Sequence, residues 1–188
     1  MPEVTPLSEP FDRFPPPDKQ DLDAAQRRAY DLIEQRRGRL PAPYTALLGS
    51  PAIAEAFDQL SGALQQGALP SIVLEAVFLM KARRHRCRYL WINHVGKARK
   101  AGLDDDTVTA LGKGLIPETP AAVRAAARFE QSLAEEHRVP QPVYDDVEAE
   151  LGSRGLVDLM VFCGFASSVA MLLNVRQPKP PMGAEAPF

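Results

Sequence analysis

Cysteine is almost absent. Two residues, Cys87 and Cys163, in a chain of 188 cannot build a disulfide framework, so the sequence reads as that of a cytosolic protein with reduced thiols. The N-terminal MPEVTPLSEPFDRFPPPDKQ has no apolar run and begins acidic, which argues against a signal peptide. No stretch sustains period-two alternation with β-branched residues, so no strand is expected. Familiar chemical fingerprints are missing as well: there is no GxGxxG after a strand, no GxxxxGK[ST], no HExxH and no GxSxG. The net charge of −2 exerts no overall pull toward nucleic acid or a membrane, and neither is expected as a partner. Only residues 155–175, GLVDLMVFCGFASSVAMLLNV, look membrane-like, and Asp158, Ser167, Ser168 and Asn174 interrupt them. A helix buried in a core or a subunit interface is the expectation there.

What is present is helical punctuation. With 45% apolar residues and 24% charged ones, the chain is long enough for one domain with its own core. Residues 1–20 are proline-rich and read as an extended N-terminal arm, able to wrap a partner subunit. Asp21 or Asp23 caps a helix running to Arg37, with Gly38 as its stop. LPAP at 40–43 breaks the chain before a short helical turn, YTALLGS. Ser50 caps the next helix with Pro51 in its first position, and Ile53, Ala54, Phe57, Leu60 and Leu64 form its apolar stripe. Pro70 or Ser71 opens a mostly apolar helix. The cluster RRHR at 83–86 marks a break, and a further helix runs to Ala101, with Gly102 as its cap. Asp104 or Asp105 starts a short helix. Pro117 to Arg138 reads as a long amphipathic one. PVYDDVEAELG is another short helix, and Ser153 or Arg154 opens the apolar helix described above. Residues 177–188 are a proline-rich tail, leaving 21–176 as an all-α domain of seven to nine helices.

Chemistry concentrates between Glu75 and His94, in EAVFLMKARRHRCRYLWINH. Cys87 and His94 are seven apart, two turns and one face of a helix, and Trp91 lies beside that stripe. His94 is the natural proton carrier near neutral pH. Glu75 is either buried among aliphatic neighbours, with its charged form disfavoured, or exposed and paired with Lys81 or an arginine. A Cys87 placed in the first turn of a helix, among arginines, would have its thiol pKa lowered and become reactive. His85 in the turn and His137 in EEHR read as surface residues, and Cys163 as an inert core residue. The three candidate ligands Cys87, His85 and His94 make a poor zinc set. No metal or other cofactor is implied. Lys81, Arg83, Arg84, Arg86, Arg88, Lys97, Arg99 and Lys100 form a run without an acid. It is either a solvated basic face or an attractor for an anionic substrate.

Glu75, Cys87, Tyr89, Trp91 and His94, followed by KAGL at 100–103 and an acidic restart, resemble the carboxymuconolactone decarboxylase-like superfamily, which includes the alkylhydroperoxidase D-like proteins. The similarity extends from LPAPYTALLGSPAIAEAF near residue 40 to VAMLLNVRQP. The resemblance implies an all-α fold, trimeric or hexameric self-assembly with sites near subunit boundaries, and a small-molecule substrate. In the peroxidase branch a glutamate, a CxxC and a histidine separated from it by three residues carry the chemistry. Glu75, Cys87 and His94 match three of those positions, while Leu90 stands where the peroxide-attacking second cysteine belongs. A peroxidase using Cys87 alone would need an external thiol. The decarboxylase branch needs no CxxC and implies acid–base work by His94 with Glu75. On this resemblance Glu75, Cys87 and His94 are the candidate catalytic residues, and Tyr89, Leu90 and Trp91 the candidate pocket walls. A non-catalytic oligomeric binding protein is the third expectation.

Overall fold

The computed structural model describes residues 12–180 and 185–188. Among these the chain forms eight α-helices, one short 3-10 turn and no strand. The helices are α1 (Ala24–Arg37), α2 (Ala42–Leu47), α3 (Pro51–Gln65), α4 (Ser71–Arg84), α5 (Arg88–Lys100), α6 (Asp105–Lys113), α7 (Ala121–Glu135) and α8 (Gln141–Arg176).

Local chemistry sets most boundaries. The Asp23 carboxylate accepts from the Ala25 and Gln26 amides while Gln26 bonds back to Asp23, a capping box that starts α1. Gly38, at φ 72°, ends it. Asp104 caps α6 through the Thr107 amide at 2.7 Å. Two expectations shift. Ser50 precedes α3 but makes no side-chain cap bond, so Pro51 alone marks that start. The helix expected from Pro117 begins only at Ala121. Pro117 and Pro120 both lack an N–H, and Thr119, which precedes Pro120, is biased away from helical backbone. The boundary expected near residue 152 is present within α8: Gly152, at φ 70° and ψ 168°, is not helical and separates the two expected helical segments.

Helix α4 is the hub. It packs against α5, α6, α7 and α8, which explains why Val73, Ala76, Val77 and Leu79 are buried almost all round it. Helix α8 is long and apolar enough by composition to cross a membrane, but half of its apolar window is packed inside the protein. Leu159, Phe162, Ala166, Ala170 and Leu173 face inward. Asp158, which interrupts that run, accepts the Ala68 amide at 2.6 Å and so ties α8 to the α3–α4 loop.

The N-terminal part of the basic run is consumed within the fold. Lys81 is buried and donates to Glu130 of α7 at 2.8 Å, and Arg84 holds both Glu130 oxygens at 2.7 and 3.1 Å. Arg83 donates to the Gly112 carbonyl, and Arg99 to Asp105. The expected solvated basic face is therefore not what Lys81 and Arg84 make: they anchor α4 to α7 through one carboxylate.

The ends of the described chain fold back. Arg176 holds both oxygens of Asp12 at 2.9 Å and the Ala42 carbonyl at 2.7 Å, and Thr45 donates to the Phe14 carbonyl. Residues 1–11, most of the expected arm, lie outside the described residues. In the tail, Phe188 meets the Trp91 ring edge-on at 5.5 Å. A Cβ on Gly112 would stand 2.8 Å from Pro187 and 3.2 Å from Trp91, so that crossing requires glycine.

Glu130 is held between two cations and nearly excluded from solvent. Replacing it with alanine should strand the Lys81 ammonium in the core and lower unfolding stability by about 3–5 kcal/mol. Urea denaturation of Glu130→Ala against wild type measures this.

Candidate active site

Helices α4 and α5 run past each other and bring two polar side chains together in otherwise apolar surroundings. His94 Nδ1 lies 2.8 Å from Glu75 Oε2. The carboxylate offers only acceptors, so the contact places a proton on Nδ1 and leaves Nε2 as the lone-pair nitrogen of the neutral ring. The imidazole stacks on Phe78 with ring centroids 4.0 Å apart. Burial lowers the His94 pKa below the ordinary imidazole value; the hydrogen bond and charge of Glu75 oppose this, and Lys97 adds to it. Glu75 thus pairs with His94 and not with Lys81, whose ammonium is taken by Glu130.

This pair opens on a cavity of about 500 Å³. Its apolar wall includes Leu74, Phe78, Leu90, Phe162, Phe165 and Leu173, and its polar lining includes Ser61, Gln65, Asn93, Arg37, Arg39 and Lys97. Tyr89 and Leu90, both expected at the pocket, line it; the Tyr89 carbonyl also accepts from Asn93 at 2.8 Å. A cavity of this size, lined about equally by apolar and polar groups, has room for a small molecule with both an apolar body and a polar end.

Cys87 and Trp91 stand elsewhere. Cys87 is not a residue of α5 but its N-cap, with φ −89° and ψ 85°, so it does not share the regular two-turn face with His94. Its side chain is packed in the core and is not part of the cavity lining. Burial pushes the thiol up to about 11, and the Leu90 amide, which pulls the other way, is outweighed. The expectation of a lowered thiol pKa is therefore corrected: desolvation dominates, and the arginines of the run do not offset it. Trp91 packs away from the cavity against Phe188 and Gly112. Cys163 is likewise buried, with its thiol pushed up to about 12. His137 is exposed, and His85 is half-buried with its carbonyl accepting from Asn174. Among the described residues no three histidine, cysteine or carboxylate side chains cluster as a metal would need.

Several lining residues carried little sequence signal. Arg37 and Arg39 lie at the end of α1 and just beyond it, and Tyr44 lies on α2, all far from the 75–94 stretch. Of the basic run, only Lys97 lines the cavity.

Glu75→Gln removes the charge that favours imidazolium, so the His94 pKa should fall further below the ordinary value. An NMR pH titration of His94 in wild type and variant reads this; an unchanged or higher value would show that the pair is not coupled.

No family model matches the sequence, and no curated protein sequence matches it. Solved structures do. An uncharacterized peroxidase-related protein from Ralstonia eutropha, described as an alkylhydroperoxidase AhpD core, superposes with a TM-score of 0.73 at 18% identity, covering 93% of this chain and 95% of that one. A peroxidase-related protein from Silicibacter gives 0.70 at 15% identity, with 96% of each chain covered. A protein of unknown function from Agrobacterium tumefaciens, linked in its description to AhpD-type antioxidant defence, gives 0.61 at 17% identity over 71% of this chain and 94% of that one. Likeness at such low identity speaks to architecture, and the architecture of this chain is the all-helical fold of the AhpD-like proteins.

Proposed function

We propose that the protein is an acid–base enzyme in which His94 moves a proton and Glu75 orients and tunes it, acting on a small anionic organic molecule in the cavity. The observation that carries this reading is the 2.8 Å His94–Glu75 contact on the cavity wall. Because burial keeps His94 neutral, Nε2 is available as a base at neutral pH. On taking a proton from substrate, the ring becomes an imidazolium facing the Glu75 carboxylate, and it returns the same proton to a later carbanion or enolate. Lys97 and Arg39 line the cavity without a carboxylate partner among the described residues, which suits an anion.

The descriptions of the structural neighbours favour a second reading, a thiol peroxidase using Cys87 with an external thiol. Its difficulty is chemical. A thiol with a pKa of about 11 is only about one part in ten thousand thiolate at pH 7, and Leu90 stands at the second-cysteine position. Under the acid–base reading, His94→Ala should cost about 10²–10⁴ in kcat while Cys87→Ser is tolerated. Peroxide consumption with a dithiol reductant that disappears in Cys87→Ser would reverse the order of the two readings. Turnover untouched by either change would refute both readings, and binding without any turnover in the wild type would favour a non-catalytic binding protein.

We also propose that the chain self-associates through the outer face of α8. Val157, Met160, Val161, Met171 and Val175 are each about half exposed there, and Gly164 and Ser168 lie between them. That face carries no charge among these seven positions, and its small central residues allow close approach of an identical helix. Light scattering after size-exclusion chromatography should find an oligomer in the wild type and a smaller species in Val161→Glu/Met171→Glu. A wild-type monomer refutes it.

A further inference from the structure

Six ring side chains on the cavity wall touch in sequence. From His94 the run passes to Phe78 at 4.0 Å, Phe162 at 4.9 Å, Phe165 at 6.0 Å, Phe57 at 4.6 Å and Tyr44 at 6.0 Å. All six line the cavity. They come from α2, α3, α4, α5 and α8, so the run is a feature of the assembled fold and not of one helix. Such a wall suits a flat apolar body that can stack or meet ring edges.

The end remote from His94 holds an anomaly. The Tyr44 hydroxyl is the one buried side-chain polar atom among the described residues with no hydrogen-bond partner. Asp58 and Ser61 lie near it, but neither reaches hydrogen-bond geometry, and both are engaged elsewhere. The Asp58 oxygens are taken by Arg36, at 2.9 Å, and by Arg37; Ser61 accepts from Gln65 at 3.2 Å. Burial pushes the phenol up to about 12, so it remains a donor. The Arg37 guanidinium stands 5.2 Å from the Tyr44 ring centroid, and Arg39 lines the same cavity. A buried donor without an acceptor is costly, and beside two cations the acceptor that satisfies it best is an oxyanion.

We propose that this end is a carboxylate-recognition pole, that Tyr44 is its specificity-determining residue, and that the substrate is an aryl or similarly flat carboxylic acid whose acid group lies here and whose reacting end lies at His94. The proposal rests on the acid–base reading only for which end reacts. The phenolic hydroxyl has almost no solvent-accessible surface, so a ligand reaches it by displacing a neighbour. Gln65, which lines the same cavity, can yield: it is exposed at the end of α3 and held to Ser61 by one hydrogen bond.

The test is direct binding, without turnover. The probes are 3-phenylpropionate and 3-phenylpropan-1-ol, which share a body and differ in the acid group. Ligand-observed NMR titration of the wild type should show the acid binding roughly tenfold or more tighter than the alcohol. Tyr44→Phe should erase that preference while raising the thermal midpoint, because removing a buried hydroxyl without a partner relieves its desolvation cost. A preference that survives in Tyr44→Phe, or no preference in the wild type, overturns the proposal. Loss of stability in Tyr44→Phe also counts against it, since the hydroxyl would then have a partner inside the protein. His94→Ala should retain the acid preference, so this recognition stands or falls separately from the catalytic role of His94.

Discussion

One carboxylate, Glu130, holds the hub of this fold in place. It receives hydrogen bonds from Lys81 and Arg84, one turn apart near the end of α4, and it does so from α7. Two cations lower its pKa even though burial alone would raise it. A helix that is apolar nearly all round has little intrinsic preference for one rotational setting. The Glu130 contacts supply that preference, because only one rotation of α4 places Lys81 and Arg84 on α7. The same rotation turns Glu75 toward α5.

From that setting the electrostatics of the cavity follow. The Glu75–His94 pair faces an apolar wall, so its mutual attraction is felt more strongly than it would be in water. Burial keeps the ring neutral, and the carboxylate fixes which nitrogen carries the proton. The thiol on the neighbouring turn experiences burial without any compensating charge and becomes less reactive, not more. Cys87 and His94 are seven residues apart, yet the same kind of environment acts on them in opposite chemical directions.

The helices were legible because their signals are local. The Asp23–Gln26 capping box, Gly38, Asp104 and the prolines before α3 and α8 act within a few residues of where they stand. Glu75 and His94 were legible as candidates for a related reason: they lie on two consecutive helices separated by a tight turn. What could not be read is what depends on tertiary depth. Nothing in RYLWINH says that Trp91 turns toward the tail or that Cys87 lies beneath the surface. Tyr44 and Arg39 lie well before the start of α4 at Ser71, and no spacing rule links them to His94. Lys81 and Arg84 look like members of a solvated basic face until Glu130, 46 to 49 positions later, comes to meet them.

The division of the cations has a further consequence. Lys81 meets Glu130 inside the protein, where mobile ions do not reach, and Arg84 closes on the same buried carboxylate from the surface, whereas Arg39 and Lys97 stand exposed on the cavity lining. At physiological ionic strength the screening length is about 8 Å, and it shortens as salt is added. Added salt therefore weakens the attraction of the cavity for an anion while leaving the buried Lys81–Glu130 contact almost untouched. Capture of ligand and integrity of the fold respond separately to the ionic medium, although both draw on the same residue types.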